Sequence, residues 1–365
     1  MIGGGALGLG AALALAEDGH DVTVHERGSL GSGSTAKAAG IVSTMTWNDD
    51  DYRLIAATRG RVGELISLVA GIEPAARGAW RPHDSLVVAA GDKIAMLDAM
   101  QDRLERMMEE PERLGWREAA AAFPGVRFEP GEEVLVAQED GVLEAGDFLA
   151  ALRARLDQEG VAIREHRGVT LAQAAEGAEG VVAAGGAWTR GLLADAGLRL
   201  PLQHFRTQLA SLAAPAEHGL PILHDVVHGF YARPESDMTV LAGDGTVLHD
   251  HDPDDYNRTG DGLFVERLAA GLSHRFEGFE QAKVRSTWAG LCVATPDRRP
   301  LCGPVPGRDD LWVLTGDNGY GLMRCLGLGE RLAAAVAGRT DAALDPGRFG
   351  DDWDPAFRMS EGFAF

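Results

Sequence analysis

Gly3, Gly5 and Gly8 constrain this chain more than any other feature. They form a G-x-G-x-x-G turn after Met1-Ile2 and open a run of small residues through Asp18. Gly19 stops that helical run, and Asp21-Val22-Thr23-Val24-His25-Glu26 reads as a strand. Strand end, glycine turn, helix and strand make half of a βαβ unit. The first glycine permits the tight turn, the second lets a pyrophosphate approach the backbone, and the third lets helix and strand pack closely. The helix start at Ala6 and Leu7 then faces an anion with unpaired N–H groups and a positive dipole end. Glu26 ends the strand where a carboxylate accepts hydrogen bonds from ribose hydroxyls. These residues predict a dinucleotide site, and an acid at 26 argues against a 2′-phosphate. Only Met1 and Ile2 stand for the strand ahead of the turn: either the chain begins several residues upstream or most of that strand is lost, and a real loss would put cofactor affinity at risk.

Patterning along the rest of the chain predicts helices over 93–115, 146–159 and 321–337, and strands at 134–137, 181–188 and 311–316. Residues 203–247 read as an antiparallel, turn-rich sheet. Nucleotide-type elements at both ends and in the middle predict an α/β chain: a discontinuous Rossmann-type domain with an inserted antiparallel-sheet domain. Expected boundaries are 1–80, 140–200 and 286–345 for the first, 81–139 and 201–285 for the second, and 346–365 for a C-terminal tail. The 365 residues, 45% hydrophobic and 24% charged, suit a globular chain with a full core.

The formal charge of −21 repels nucleic acid and anionic membrane surfaces. No run of eighteen apolar residues offers a membrane span. The N-terminus has no basic region or cleavage site, and three cysteines make no disulfide framework, so a cytoplasmic location is expected. All basic residues but Lys37, Lys93 and Lys283 are arginine. A salt-adapted source and a GC-rich one both explain that bias. The acidic runs Asp49-Asp50-Asp51 and His249-Asp250-His251-Asp252-Pro253-Asp254-Asp255 read as solvated loops, and no metal site is expected in the second.

Gly31-Ser32-Gly33-Ser34-Thr35-Ala36-Lys37-Ala38-Ala39-Gly40-Ile41 is a second loop rich in small and hydroxyl residues. It can wrap phosphates and then pass under a flat ring system. With Ile2-Gly3-Gly4-Gly5, Glu26-Arg27, Gly33-Ser34-Thr35 and Ala38-Ala39-Gly40, the sequence resembles the FAD-dependent D-amino-acid oxidase superfamily. Val169 and the strand ending Ala184-Gly185-Gly186-Ala187-Trp188 resemble its adenine-side valine and second flavin motif. Phe230-Tyr231-Ala232-Arg233-Pro234 is similar to its substrate-domain strand. Trp288-Ala289-Gly290-Leu291, Thr295-Pro296-Asp297, Pro300-Leu301-Cys302-Gly303-Pro304 and the stretch Gly316 to Gly321 resemble its C-terminal flavin segment. The resemblance implies an extended FAD with its ring between the nucleotide domain and the substrate sheet. Asn318, Gly319, Tyr320, Gly321 and Leu322 open the last helix, whose dipole can stabilise the anionic N1/C2=O edge of reduced flavin.

Three departures shape the functional expectation. Lys37 and Gly290 stand where some members carry the histidine or cysteine that attaches FAD, so FAD is expected to bind without a covalent link. Cys292 stands where amino-acid-oxidising members carry the arginine that anchors the substrate carboxylate. Arg324, one turn into the last helix, is the expected substitute, with Tyr231 closing on the same substrate; Cys292 itself is expected to be a packed residue. The expected reaction is oxidation of the C–N bond of a small amine or amino acid (a D-amino acid, glycine or an N-methyl amino acid). A hydride passes to flavin N5 and the imine is then hydrolysed. O2 or an electron carrier reoxidises the flavin, and a homo-oligomer is left open. A dehydrogenase acting on the C–O bond of a 2-hydroxy acid, or a flavin subunit of a hetero-oligomeric dehydrogenase, remains as an alternative.

Overall fold

Ile2 does the work of a whole central strand. Its N–H donates to Val182 O at 2.8 Å and its carbonyl accepts from Ala184 N at 2.8 Å. On the other side Gly3 N donates to His25 O, and His25 N to Met1 O, both at 2.9 Å. These bonds join two short sheets into the strand order Leu301–Pro304, Leu311–Thr315, Val181–Ala183, Ile2, Thr23–His25, Ala162–Arg164. The short stretch ahead of the glycine turn is thus bridged on both sides. Three separate stretches of chain build this layer. Its strands are discontinuous in sequence, as the patterning predicts.

The computed structural model describes residues 1–46, 48–213, 219–236, 238–249, 252–350, 353–354 and 357–358. The chain is mixed α/β, as its sequence patterning predicts. A second sheet has eight strands, in the order Lys283–Ala294, Gln203–Ala213, Thr239–Gly243, Phe230–Ser236, Ile222–Asp225, Ser85–Ala90, Glu132–Ala137 and Glu112–Gly115. It is antiparallel except for one parallel pair, Ile222–Asp225 against Ser85–Ala90. Residues 286–294, expected with the nucleotide segments, pair in this sheet along Gln203–Ala213. The helix expected over 93–115 runs only Ile94–Arg106. Met108 turns the chain at φ +65°, Pro111 cannot continue a helical ladder, and Glu112–Gly115 becomes the edge strand.

The first helix, Ala6–Glu17, is buried on nearly every side over its first ten residues, as expected of a helix apolar all round. It crosses the last helix, Gly321–Val336, at a distance that excludes side chains. A Cβ on Gly10 would lie 2.6 Å from Cys325 O, and one on Gly329 would lie 2.4 Å from Gly10 O. This crossing sets the starts of both helices side by side beneath the cavity described next. The large sheet is clamped from behind by Arg275, fully buried, which donates to Asp225 at 2.7 Å and to both oxygens of Glu132 at 2.8 Å.

Candidate cofactor and substrate site

A cavity of about 1000 Å³ runs between the two main sheets, at the upper end of the range for small-molecule sites. At one end the glycine turn meets it. Gly3, at φ +109°, has no room for a side chain, because a Cβ would lie 2.3 Å from Ala184 O. Gly5, Ala6 and Leu7 line the cavity at the helix start. Gly8 does not line it; a Cβ there would strike Gly3 O at 2.1 Å, so its part is packing. Glu26 lines the cavity while both its oxygens accept from backbone: Oε2 from Gly4 N at 2.8 Å and Oε1 from Gly28 N at 2.7 Å. Arg27 stacks its guanidinium 3.9 Å from the Trp188 ring centroid and donates to Asp254 at 2.8 Å. Trp188 Nε1 donates to the same Asp254 oxygen at 2.9 Å. Val169, Ala184, Gly185 and Gly186 complete this end.

The second loop forms the middle of the wall. Thr35 Oγ1 accepts from Ala6 N at 3.0 Å, so a side chain of this loop caps the first helix. Ser34 Oγ donates to Leu291 O. Lys37 Nζ donates to Gly33 O at 2.9 Å and Ser32 O at 3.2 Å, and burial, then the charge of Arg258, lowers its pKa. Gly290 faces it: a Cβ there would lie 3.4 Å from Lys37 Cβ. Ala38, Ala39, Gly40 and Ile41 continue the wall. Lys37 and Gly290, expected in the places of an attaching histidine and cysteine, thus lie against each other on the cavity wall.

At the far end Tyr231 projects from Phe230–Ser236, with its ring centroid 6.3 Å from that of His224 on the adjacent strand. Burial holds the Tyr231 hydroxyl well above its ordinary pKa and pushes His224 down to about 3, so both are neutral. Cys292 also lines this end, and burial raises its thiol far above the ordinary value. Asn318, Gly319, Tyr320, Gly321, Leu322 and Arg324 come from the start of the last helix. Gly316, at φ +74°, lies off the cavity against Thr295.

Arg324 is the most informative of these residues. It is 2% exposed, its Nη2 lies 3.0 Å from Asp51 Oδ1, and its guanidinium sits 4.7 Å from the Tyr320 ring centroid. Its Nε and Nη1 are buried and make no hydrogen bond among the described residues. Asp51 overturns the reading of Asp49-Asp50-Asp51 as a solvated loop. The run is the first turn of a helix, Asp49–Val69, capped by Asn48, and Asp51 falls on its buried face. Asp317, which the sequence reading passed over, lines the cavity too. Burial raises its carboxyl, against the pull of Arg324 and of the N–H groups of Gly319 and Gly321. The helix start expected to face flavin N1 is therefore already engaged by a carboxylate. A glycine at 321, where a Cβ would lie 1.9 Å from Asp317 Oδ2, was the available signal.

Among the described residues no cluster of three or more His, Cys, Asp or Glu is disposed to hold a metal. Asp250 and His251 of the acidic loop lie outside them. No described helix is long and apolar enough to cross a membrane.

The family model described as FAD dependent oxidoreductase (DAO) matches residues 1–335. Glycine oxidase of Pseudomonas putida is 29% identical over 352 residues, covering 88% of this chain and 90% of that protein. The structure of glycine oxidase from Geobacillus kaustophilus superposes with a TM-score of 0.80 at 23% identity, covering 95% of this chain and 96% of its own. That of L-proline dehydrogenase from P. horikoshii superposes with a TM-score of 0.81 at 20% identity and the same coverage, which is a likeness of fold.

Proposed function

The chain belongs to the FAD dependent oxidoreductase family, and on that premise we propose that it oxidises the C–N bond of a small amino acid whose carboxylate is held by Arg324. FAD, when bound along the cavity, supplies the electron acceptor. The glycine turn and Glu26 suit its adenosine and pyrophosphate, and the loop 33–41 its middle. The residues of this chain do the remaining work: they exclude water, orient the substrate and leave its nitrogen neutral. Such chemistry asks for positioning more than for an acid–base pair.

One observation carries the reading. Arg324 is buried on the cavity wall with two N–H-bearing nitrogens unsatisfied, a costly state that a ligand carboxylate relieves. Oxidation of a C–O bond would call for a histidine base. His224 is in the cavity, but at a pKa of about 3 it binds a proton too weakly for that role. The glycine oxidase relatives favour an amino acid as well.

The test is anaerobic mixing of the FAD-loaded protein with D- and L-amino acids, N-methyl amino acids and 2-hydroxy acids, followed by flavin bleaching. Bleaching by amino acids alone is expected. Arg324→Met should raise the half-saturating concentration by roughly 10- to 150-fold, the worth of a charge-assisted hydrogen bond of about 1.5–3 kcal/mol, with FAD content unchanged. Arg324→Lys should recover part of it, because the planar fork is lost. Unchanged kinetics in Arg324→Met would move the substrate class to amines without a carboxylate.

A further inference from the structure

Arg324 and Asp317 both line the cavity, Arg324 pairs with Asp51 of the helix Asp49–Val69 behind it, and its field reaches Asp317 at the start of the last helix. Fully ionised, the three carry one negative charge in excess. Asp51 is committed at both oxygens: Oδ1 lies on Arg324 Nη2 at 3.0 Å, and Oδ2 accepts from Asn48 Nδ2 at 2.8 Å. Asp317 is held by backbone N–H groups and by the field of Arg324. Arg299 is a second cation, but its field falls on Asp51 and its ion pair is with Asp50 at 3.6 Å. From the strand Lys283–Ala294 comes the Cys292 thiol, kept neutral by burial. Tyr320, Tyr231 and His224 line the same cavity, and burial keeps Tyr231 and His224 neutral.

A carboxylate arriving on Nε and Nη1 of Arg324 would leave one guanidinium among three carboxylates. In a buried site two excess like charges cannot both persist, and the least compensated acid takes a proton. We infer that Asp317 makes carboxylate binding proton-linked: it is ionised while Arg324 is free and holds a proton once a carboxylate sits on Arg324. One anion and one proton from solvent enter together, so the net charge of the wall does not change. The inference rests on the anchor role of Arg324 proposed above and adds its consequence for specificity. A carboxylate ligand binds more weakly as pH rises, whereas an uncharged isostere does not sense pH. Asp317 is thus a specificity-determining residue of the site.

The experiment uses the FAD-loaded enzyme and benzoate, with benzamide as the uncharged control, read by the shift in the visible flavin spectrum. As pH rises across the range in which the enzyme stays folded, benzoate affinity should fall by up to about tenfold per pH unit, the slope of one linked proton. Benzamide affinity should stay flat. Asp317→Asn keeps an oxygen for the N–H groups of Gly319 and Gly321 and should bind benzoate with little pH dependence. In weakly buffered solution the unaltered enzyme should take up close to one proton per benzoate bound, a measurement that needs no variant. A flat benzoate profile, no proton uptake, or the same slope in Asp317→Asn would overturn the inference. Arg324→Met separates the two claims. If it abolishes the preference for benzoate over benzamide while the profile is flat, the anchor stands and the proton linkage falls. If it leaves benzoate binding unchanged, the anchor itself falls, and the linkage with it.

Discussion

Glu26 ties the end of the second strand to the glycine turn, its Oε2 accepting the amide hydrogen of Gly4 at 2.8 Å. Its other oxygen accepts from Gly28 at 2.7 Å. The acid that sequence logic assigns to the ribose is therefore also the clasp that shapes the pyrophosphate turn. The two roles are compatible, because each carboxylate oxygen has a second lone pair.

Removing that clasp gives the first prediction. Glu26→Gln leaves one of the two glycine N–H groups facing a donor. Loss of a charge-assisted bond costs about 1.5–3 kcal/mol, so FAD affinity should fall roughly 10- to 150-fold. Titration of the apoprotein, read by quenching of FAD fluorescence, checks it. An unchanged dissociation constant would remove Glu26 from the cofactor site.

The helix crossing beneath the cavity is equally exposed to test. Gly10→Ala places a methyl against Cys325 O, which is backbone and cannot step aside. Overpacking of this kind costs about 1–3 kcal/mol, and the melting temperature should drop. Gly60→Ala, on the exposed side of Asp49–Val69 with nothing within 4 Å of its Cβ, should raise it. Equal shifts in the two variants would contradict the close crossing.

Asp140 sets a pH dependence of stability. It is fully buried, and burial pushes its carboxyl from 3.8 up to about 6 despite hydrogen bonds from Thr44 N and Oγ1. The native state then binds this proton more tightly than the unfolded chain. The stability it contributes is complete below about pH 4 and is lost as pH rises through about 6, at ~1.4 kcal/mol per pH unit between. Asp140→Asn should be more stable than the parent above pH 6, with the gap closing toward pH 4. Chemical denaturation across that range decides it; a constant gap would show that Asp140 does not titrate there.

Lys37 facing Gly290 supplies neither the imidazole nor the thiolate that attaches FAD in other members of the family. Acid precipitation should release all the flavin absorbance into the supernatant. Colour retained in the pellet would refute non-covalent binding.

The charge of −21 separates the two explanations of composition. Screening shortens the Debye length from about 30 Å at 0.01 M to about 3 Å at 1 M salt. A salt-adapted chain should melt higher across that range, and a flat melting temperature would favour base composition.

Much of the nucleotide end was legible in the sequence because its determinants are local. Glycine spacing, a small-residue helix and an acid at the next strand's end lie within thirty residues and dictate backbone geometry directly. The loop from Gly33 to Ile41 and the strand running into Gly185 and Gly186 are legible for the same reason. Asp51 was not. Three consecutive aspartates carry no mark of which one faces inward, and only the cap at Asn48 and the packing of the last helix turn Asp51 onto Arg324. The parallel pairing of Ile222–Asp225 with Ser85–Ala90, and the strand at Glu112–Gly115 where a helix was expected, were likewise settled by neighbours distant in the chain. Local sequence determines the dihedral angles a segment favours, whereas the burial and pairing of a charge depend on what arrives across space. That is why the glycine-turn end of the cavity could be read from the sequence, and the charges at its far end emerged only from the tertiary structure.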